Sequence, residues 1–151
     1  MQERLSRNKV YQLQPALLTS LVSLGEKAAA GFNPKLVHLV KLRASQINGC
    51  AFCQHMHAAE ARKDGENQQR LDLLGAWYET GVFSEQERAA LHWTEVLTRL
   101  AGNKVADSDY QNVASVFNQQ QIVDLTSLIM TINAWNRLAV GFNFQPEITE
   151  S

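Results

Sequence analysis

At 151 residues, with 45% apolar and 19% charged side chains, the sequence has the composition of one globular domain that buries roughly two thirds of its unfolded surface. A formal net charge of −1 gives no electrostatic case for nucleic acid or an anionic membrane, and no apolar run approaches the roughly 18 residues that span a bilayer. Residues 1–8 are polar and lack the apolar core of a signal peptide, which makes the cytoplasm the expected compartment.

Residues 1–14 show no strong period and read as an N-terminal arm. A first helix is predicted over about 16–30, where Leu17, Leu18, Leu21, Val22 and Leu24 make an apolar stripe and Gly31 stands past the end. Pro34 is placed as the N1 residue of the next helix, whose Leu36, Val37, Leu39, Val40, Leu42 and Ala44 imply burial on several sides. Asn48-Gly49 breaks that pattern. A third helix starts near Cys50 and ends near Asp64-Gly65. The fourth runs over about 68–80, with Leu71, Leu74 and Trp77 or Tyr78 turned inward. Ser84 and Glu87 form an S-x-x-E capping box ahead of Ala89, Ala90, Trp93, Val96, Leu97 and Leu100 at helical spacing. A short helix over about 108–117 follows, then a long one over about 120–140 that is apolar through Ile122, Leu125, Leu128, Ile129, Ile132 and Trp135. Pro146 and a polar tail, residues 143–151, close the chain. No segment alternates as a strand would. The expected fold is therefore all-α, one domain over residues 15–142 with six to seven helices. Helices as apolar as the second and the last leave much to cover in so small a domain, so self-association is expected.

The chain has two cysteines and four histidines, and Cys50, Cys53, His55 and His57 crowd into eight positions. On a helix that turns by about 100° per residue, Cys50, Cys53 and His57 share a sector of roughly 60°, while His55 points elsewhere. Free N–H groups and the positive end of the dipole at a helix start stabilise a thiolate. The i, i+3 spacing lets two sulfurs bond, and an imidazole at i+4 can take a thiol proton. Two cysteines in a reducing compartment read as redox-active or metal-binding before they read as a staple. Three readings stay open on these residues: a redox pair, an ordinary buried cluster, or a zinc site completed by His38 or His92. Trp77, Trp93 and Trp135 read as core, and His92 as structural. Arg43 and Arg137 read as partners of Glu95 or Asp124.

Leu39-Val40-Lys41-Leu42-Arg43-Ala44-Ser45-Gln46-Ile47-Asn48-Gly49-Cys50-Ala51-Phe52-Cys53, followed by His57, resembles the core of the AhpD-like (alkylhydroperoxidase D-type) family within the carboxymuconolactone decarboxylase superfamily. Leu73-Leu74, Ala76-Trp77, Phe83-Ser84-Glu85, Trp93-Thr94-Glu95 and Asn133-Ala134-Trp135-Asn136-Arg137 extend the likeness to its small single-domain branch. The resemblance implies an all-helical homo-oligomer, a trimer or hexamer. It also implies a thiol-dependent peroxidase with no metal and no cofactor beyond the cysteine pair. Cys53 would attack the hydroperoxide and Cys50 would resolve the sulfenic acid as a disulfide. His57 would activate Cys53, and an external dithiol, thioredoxin-like or lipoylated, would reduce the pair. The family pattern places a relay glutamate twelve residues before the first cysteine, and His38 stands there. Neutral imidazole can accept a proton near pH 7, but a poor relay implies a slower peroxidase or a shift towards disulfide chemistry. Glu60 and Glu95 are the substitute carboxylates. Lactone decarboxylation and a non-enzymatic redox-sensing oligomer are the competing functions.

Overall fold

The computed structural model describes residues 1–149, which form eight α-helices and one 3-10 segment. The helices are α1 (Arg7–Leu13), α2 (Pro15–Ala29), α3 (Pro34–Ile47), α4 (Ala51–Lys63), α5 (Gln68–Leu73), α6 (Glu85–Thr98), α7 (Asp107–Ala114) and α8 (Gln119–Phe142), with the 3-10 segment at Leu74–Glu79. Among these residues there is no strand, and no helix is long and apolar enough to cross a membrane.

α3 is the axis of the fold and packs against α4, α6 and α8. Its apolar residues do not line one stripe, and each side meets a different neighbour. Leu36, Val37 and Val40 join Trp93, Val113, Phe117, Leu125, Leu128 and Ile129 in one core. Leu39 and Leu42 join Ala61, Leu71, Leu74, Trp77, Phe83 and Leu91 in a second. Each fully buried leucine of this kind contributes about 1.5–3 kcal/mol relative to exposure, so α3 is fixed in rotation. That rotation decides where its polar residues, His38, Lys41, Arg43 and Ser45, can point.

The helix count exceeds the expected six to seven for two reasons. The arm contains α1, which Ser6 caps by accepting from the Lys9 amide at 3.3 Å, and which Pro15 separates from α2. With only seven residues and Val10 as its one fully buried position, α1 has too few turns to display a period. The predicted helix over 68–80 breaks at Leu74, where Gly75 and a non-helical Ala76 (φ −122°) tighten the chain into the 3-10 segment. Trp77 turns inward and Tyr78 stays exposed. The chain ends also meet. The Arg4 amide donates to the Phe142 carbonyl at 2.9 Å, and Phe144 of the tail is buried against Phe52.

Arg43 donates to Glu95 at 2.7 Å, as its place in an apolar helix suggested. Arg137 does not reach Glu95 or Asp124; it bonds the Asn133 carbonyl one turn back at 3.1 Å. Glu95 also accepts from Trp77 and Arg99, and this bonding removes it as a base for the thiols.

Candidate active site

The turn between α3 and α4 is built to deliver Cys50. α3 ends in a Schellman motif: the Gly49 amide bonds the Gln46 carbonyl at 3.2 Å and the Cys50 amide bonds the Ser45 carbonyl at 3.0 Å. The motif requires a left-handed residue, and Gly49 supplies it at φ 65°. A polar cluster locks this turn to α8. Asn48 donates to the side-chain oxygens of Asn133 and Asn136 at 3.0 and 2.9 Å, and Asn136 donates to the Ser45 hydroxyl at 3.0 Å. Cys50 thereby becomes the N-cap of α4, its sulfur accepting from the Cys53 amide at 3.2 Å.

Cys50 and Cys53 are joined as a disulfide with Cα atoms 5.3 Å apart. Both are buried, in a small cluster with Val10, Ala139 and Phe144 that brings α1, α4 and α8 together. The two are not equivalent. Cys53 forms part of the wall of a cavity of about 520 Å³, whereas the wall does not include Cys50. Leu18, Leu21 and Val22 of α2, Phe52 and Met56 of α4, and Ile132 and Trp135 of α8 make that wall mainly apolar. His57, Lys41 and Glu60 add polar groups to the same wall.

His57, one turn along α4 from Cys53, is buried and bonds Glu60 Oε2 through Nδ1 at 3.0 Å. Burial pushes this imidazole below its ordinary pKa. The Glu60 carboxylate opposes that shift without overcoming it, and positive charge at Lys41 and His38 adds to it. The hydrogen bond to His57 holds the Glu60 carboxyl below the usual carboxylate range against its own partial burial. An ionised Glu60 accepts from Nδ1–H, so the neutral ring carries its lone pair on Nε2. The arrangement is an imidazole oriented by a carboxylate, one helical turn from Cys53, on a mainly apolar wall.

His38 is placed differently. It is buried in α3, with Nε2 2.6 Å from Oδ2 of Asp64 and Nδ1 without a hydrogen-bond partner. Asp64 caps the far end of α4, seven residues or about 10 Å of helix beyond His57. The fold bonds Cys50 to Cys53 and puts Cys53 and His57 on one cavity wall, a wall that does not include His38. His55 is exposed, and His92 bonds Asp109 at 2.9 Å. Among the described residues no group of three or more His, Cys, Asp or Glu side chains is arranged to hold a metal ion.

Two contributions were hidden in the sequence. Asp64 and Lys41 were assigned no role from the sequence, although the spacing of His57, Glu60 and Asp64 at i, i+3 and i+7 marks one face of α4. The cavity wall also draws Arg7 and Tyr11 from α1, the helix read as an arm.

Residues 15–96, more than half the chain, match the carboxymuconolactone decarboxylase family. The chain is 36% identical over 136 residues to the uncharacterized protein YdfG of Bacillus subtilis, covering 89% of this chain and 92% of that protein. The crystal structure of ATU0492 from Agrobacterium tumefaciens, a protein of unknown function described as a candidate AhpD antioxidant defence protein, aligns with a TM-score of 0.89 at 36% identity, over 98% of this chain and 100% of that one. An uncharacterized peroxidase-related protein from a Silicibacter species aligns with a TM-score of 0.77 at 21% identity, over 92% and 74% of the two chains, a likeness of fold alone.

Proposed function

The chain belongs to the carboxymuconolactone decarboxylase family, on its AhpD-like side, and from that premise we propose that it is a thiol-dependent peroxidase and disulfide oxidoreductase. The observation that carries this reading is the asymmetry of the cysteine pair. Cys53 shares the cavity wall with His57, whereas Cys50, bonded to Cys53, is not part of that wall.

In the reduced protein His57 Nε2 accepts the Cys53 proton, and the start of α4 stabilises the thiolate. The thiolate attacks one oxygen of a hydroperoxide; the O–O bond breaks and the Cys53 sulfenic acid forms. The departing alkoxide takes the proton held by His57 and leaves as an alcohol. The Cys50 thiol then displaces the hydroxyl of the sulfenic acid, water leaves, and the disulfide forms. An external dithiol, thioredoxin-like or lipoylated, returns two electrons and two protons by thiol–disulfide exchange. Sulfur alone carries the electrons, so the cycle calls for no haem, flavin or metal. The mainly apolar wall favours organic hydroperoxides.

Steady-state consumption of cumene hydroperoxide in the presence of a dithiol tests the reading. The wild type turns over, Cys53→Ser does not, and Cys50→Ser stops after a single event with sulfenic acid on Cys53. His57→Gln lowers the rate by about a hundredfold or more. Turnover that survives Cys53→Ser contradicts the proposal. Conversion of a carboxymuconolactone by a protein lacking both cysteines would favour decarboxylation instead.

A further inference from the structure

A disulfide that cycles has to be reached by its reductant, yet neither sulfur stands at the surface. Cys50 is 1% exposed and Cys53 2%. Thiol–disulfide exchange needs a thiolate to touch the sulfur it attacks, so access decides which dithiols react. A small dithiol has a way in, because Cys53 forms part of the wall of the cavity of about 520 Å³. Its thiolate attacks Cys53, the bond to Cys50 breaks, and Cys50 leaves as a thiolate that takes a proton. The second thiol of the reductant then releases Cys53, and the reductant, two electrons poorer, ends as its own disulfide. A dithiol carried on a folded protein does not fit into a cavity of that size.

What covers the pair on this side is α1. Val10, 4% exposed, packs in one cluster with Cys50, Cys53, Ala139 and Phe144, and Arg7 and Tyr11 of the same helix form part of the cavity wall. The helix is lightly held. Val10 is its one fully buried residue, and Leu13 is exposed. Beyond Val10 it rests on the Arg7 guanidinium, 5.3 Å over the Phe52 ring, and on Tyr11, edge-on to Trp135 at 6.2 Å. Seven residues are too few to hold a helix by themselves. Both ends are tethered. Ahead of α1, Arg4 bonds the Phe142 carbonyl through its amide and the Gly141 carbonyl through its guanidinium at 2.8 Å. Behind it, the chain leaves the helix at Gln14 (φ −139°, ψ 81°) and enters α2 at Pro15. A segment with so few buried contacts between two fixed points opens far below the free energy of global unfolding, while α3 and α4 stay folded.

We infer that α1 is an access cover that sorts reductants. It stays docked for small dithiols, which reach Cys53 through the cavity. It lifts for a protein dithiol, which attacks Cys53 once Val10 has left the cysteine cluster and one side of the cavity wall is gone. Val10 sets this selectivity by its seat on the cysteines, and Ser6 sets it by capping the helix, its hydroxyl accepting from the Lys9 amide at 3.3 Å. This rests on the disulfide-exchange half of the proposed function and not on the peroxide.

Two measurements on the oxidised protein test it with no peroxide present. Hydrogen exchange read by mass spectrometry over residues 7–14 reports how often α1 opens. Disulfide reduction, followed by thiol alkylation, is timed with dithiothreitol and with reduced thioredoxin. Ser6 is exposed and lies outside the cysteine cluster. Ser6→Ala raises α1 exchange and the thioredoxin rate by the same factor, about fivefold, and leaves the dithiothreitol rate within about twofold of wild type. Val10→Ala raises α1 exchange and the thioredoxin rate by on the order of tenfold. A thioredoxin rate that stays put while α1 exchange rises overturns the inference. So does a dithiothreitol rate that climbs in step with it in Ser6→Ala. If loss of the cap leaves α1 exchange unchanged, Val10→Ala carries the comparison of exchange with thioredoxin rate, and exchange unmoved in both variants also overturns the inference. Faster reduction by thioredoxin in a protein that consumes no hydroperoxide keeps the cover and removes the peroxidase reading. Hydroperoxide turnover driven by dithiothreitol, with the thioredoxin rate unmoved, does the reverse.

Discussion

Cys53 differs from Cys50 in what surrounds it: His57 a turn away and a cavity wall on one side. The C-x-x-C spacing was legible in the sequence because two sulfurs three residues apart at a helix start have few other uses. Which sulfur meets the cavity was not, since the wall is assembled from α1, α2 and α8, far away in the chain. The carboxylates were hidden for a similar reason. Glu60 and Asp64 sit on the half-exposed edge of α4, where most acidic residues are merely solvated. His57 leads to a pH prediction. Its folded pKa lies below the ordinary value of 6.5 because of burial, so in acid the unfolded chain binds the proton first. Stability from this group is complete above the unfolded pKa and is lost as pH falls through the folded one. Glu60 is held low as well, and its contribution fades in the same direction at lower pH. Urea unfolding of the wild type from pH 7 down to 4 should therefore show falling stability, with a shallower fall in His57→Gln. An equal slope in the two proteins would mean that the imidazole is not buried neutral.

At the level of the helix, the determinant is the junction of α3 with α4. Asn-Gly announced a break, but the sequence did not reveal that the break is a Schellman motif that hands Cys50 to the next helix as its cap. Nor did it reveal that Asn133 and Asn136, two residues within an apolar helix, fasten that junction. Gly49→Ala forces a Cβ into the left-handed region at a cost of roughly 1–2 kcal/mol. Asn136→Ala leaves Asn48 and Ser45 short of a partner inside the protein, at about 1–3 kcal/mol. Chemical denaturation should find both losses, together with slower reoxidation of the reduced cysteines in Gly49→Ala. Unchanged reoxidation would detach the turn from the chemistry. The capping box at Ser84 and Glu87 and the long apolar run of α8 were readable, since each repeats a local signal over several turns. α1 and the 3-10 segment were not, because tertiary contacts rather than their own propensity hold them.

For the molecule as a whole, the exposed side of α2 is the unsettled surface. Leu18 and Val22, one turn apart on the same face, are 40% and 39% exposed and stand at the cavity wall. An apolar stripe of this kind calls for cover, and the proposed cover is another copy of the chain. Sedimentation equilibrium should give a mass several times the 16.9 kDa of one chain, falling towards one chain in Val22→Glu. A wild-type protein that sediments as a single chain would contradict it. The cycle as a whole is tested most directly by a single turnover. Reduced protein is mixed with one equivalent of cumene hydroperoxide, quenched, and weighed by mass spectrometry with and without a sulfenic acid trap. The account predicts one intramolecular Cys50–Cys53 disulfide in the wild type and a trapped adduct on Cys53 alone in Cys50→Ser. Peroxide left unreacted, or an adduct on Cys50 in place of Cys53, would contradict it.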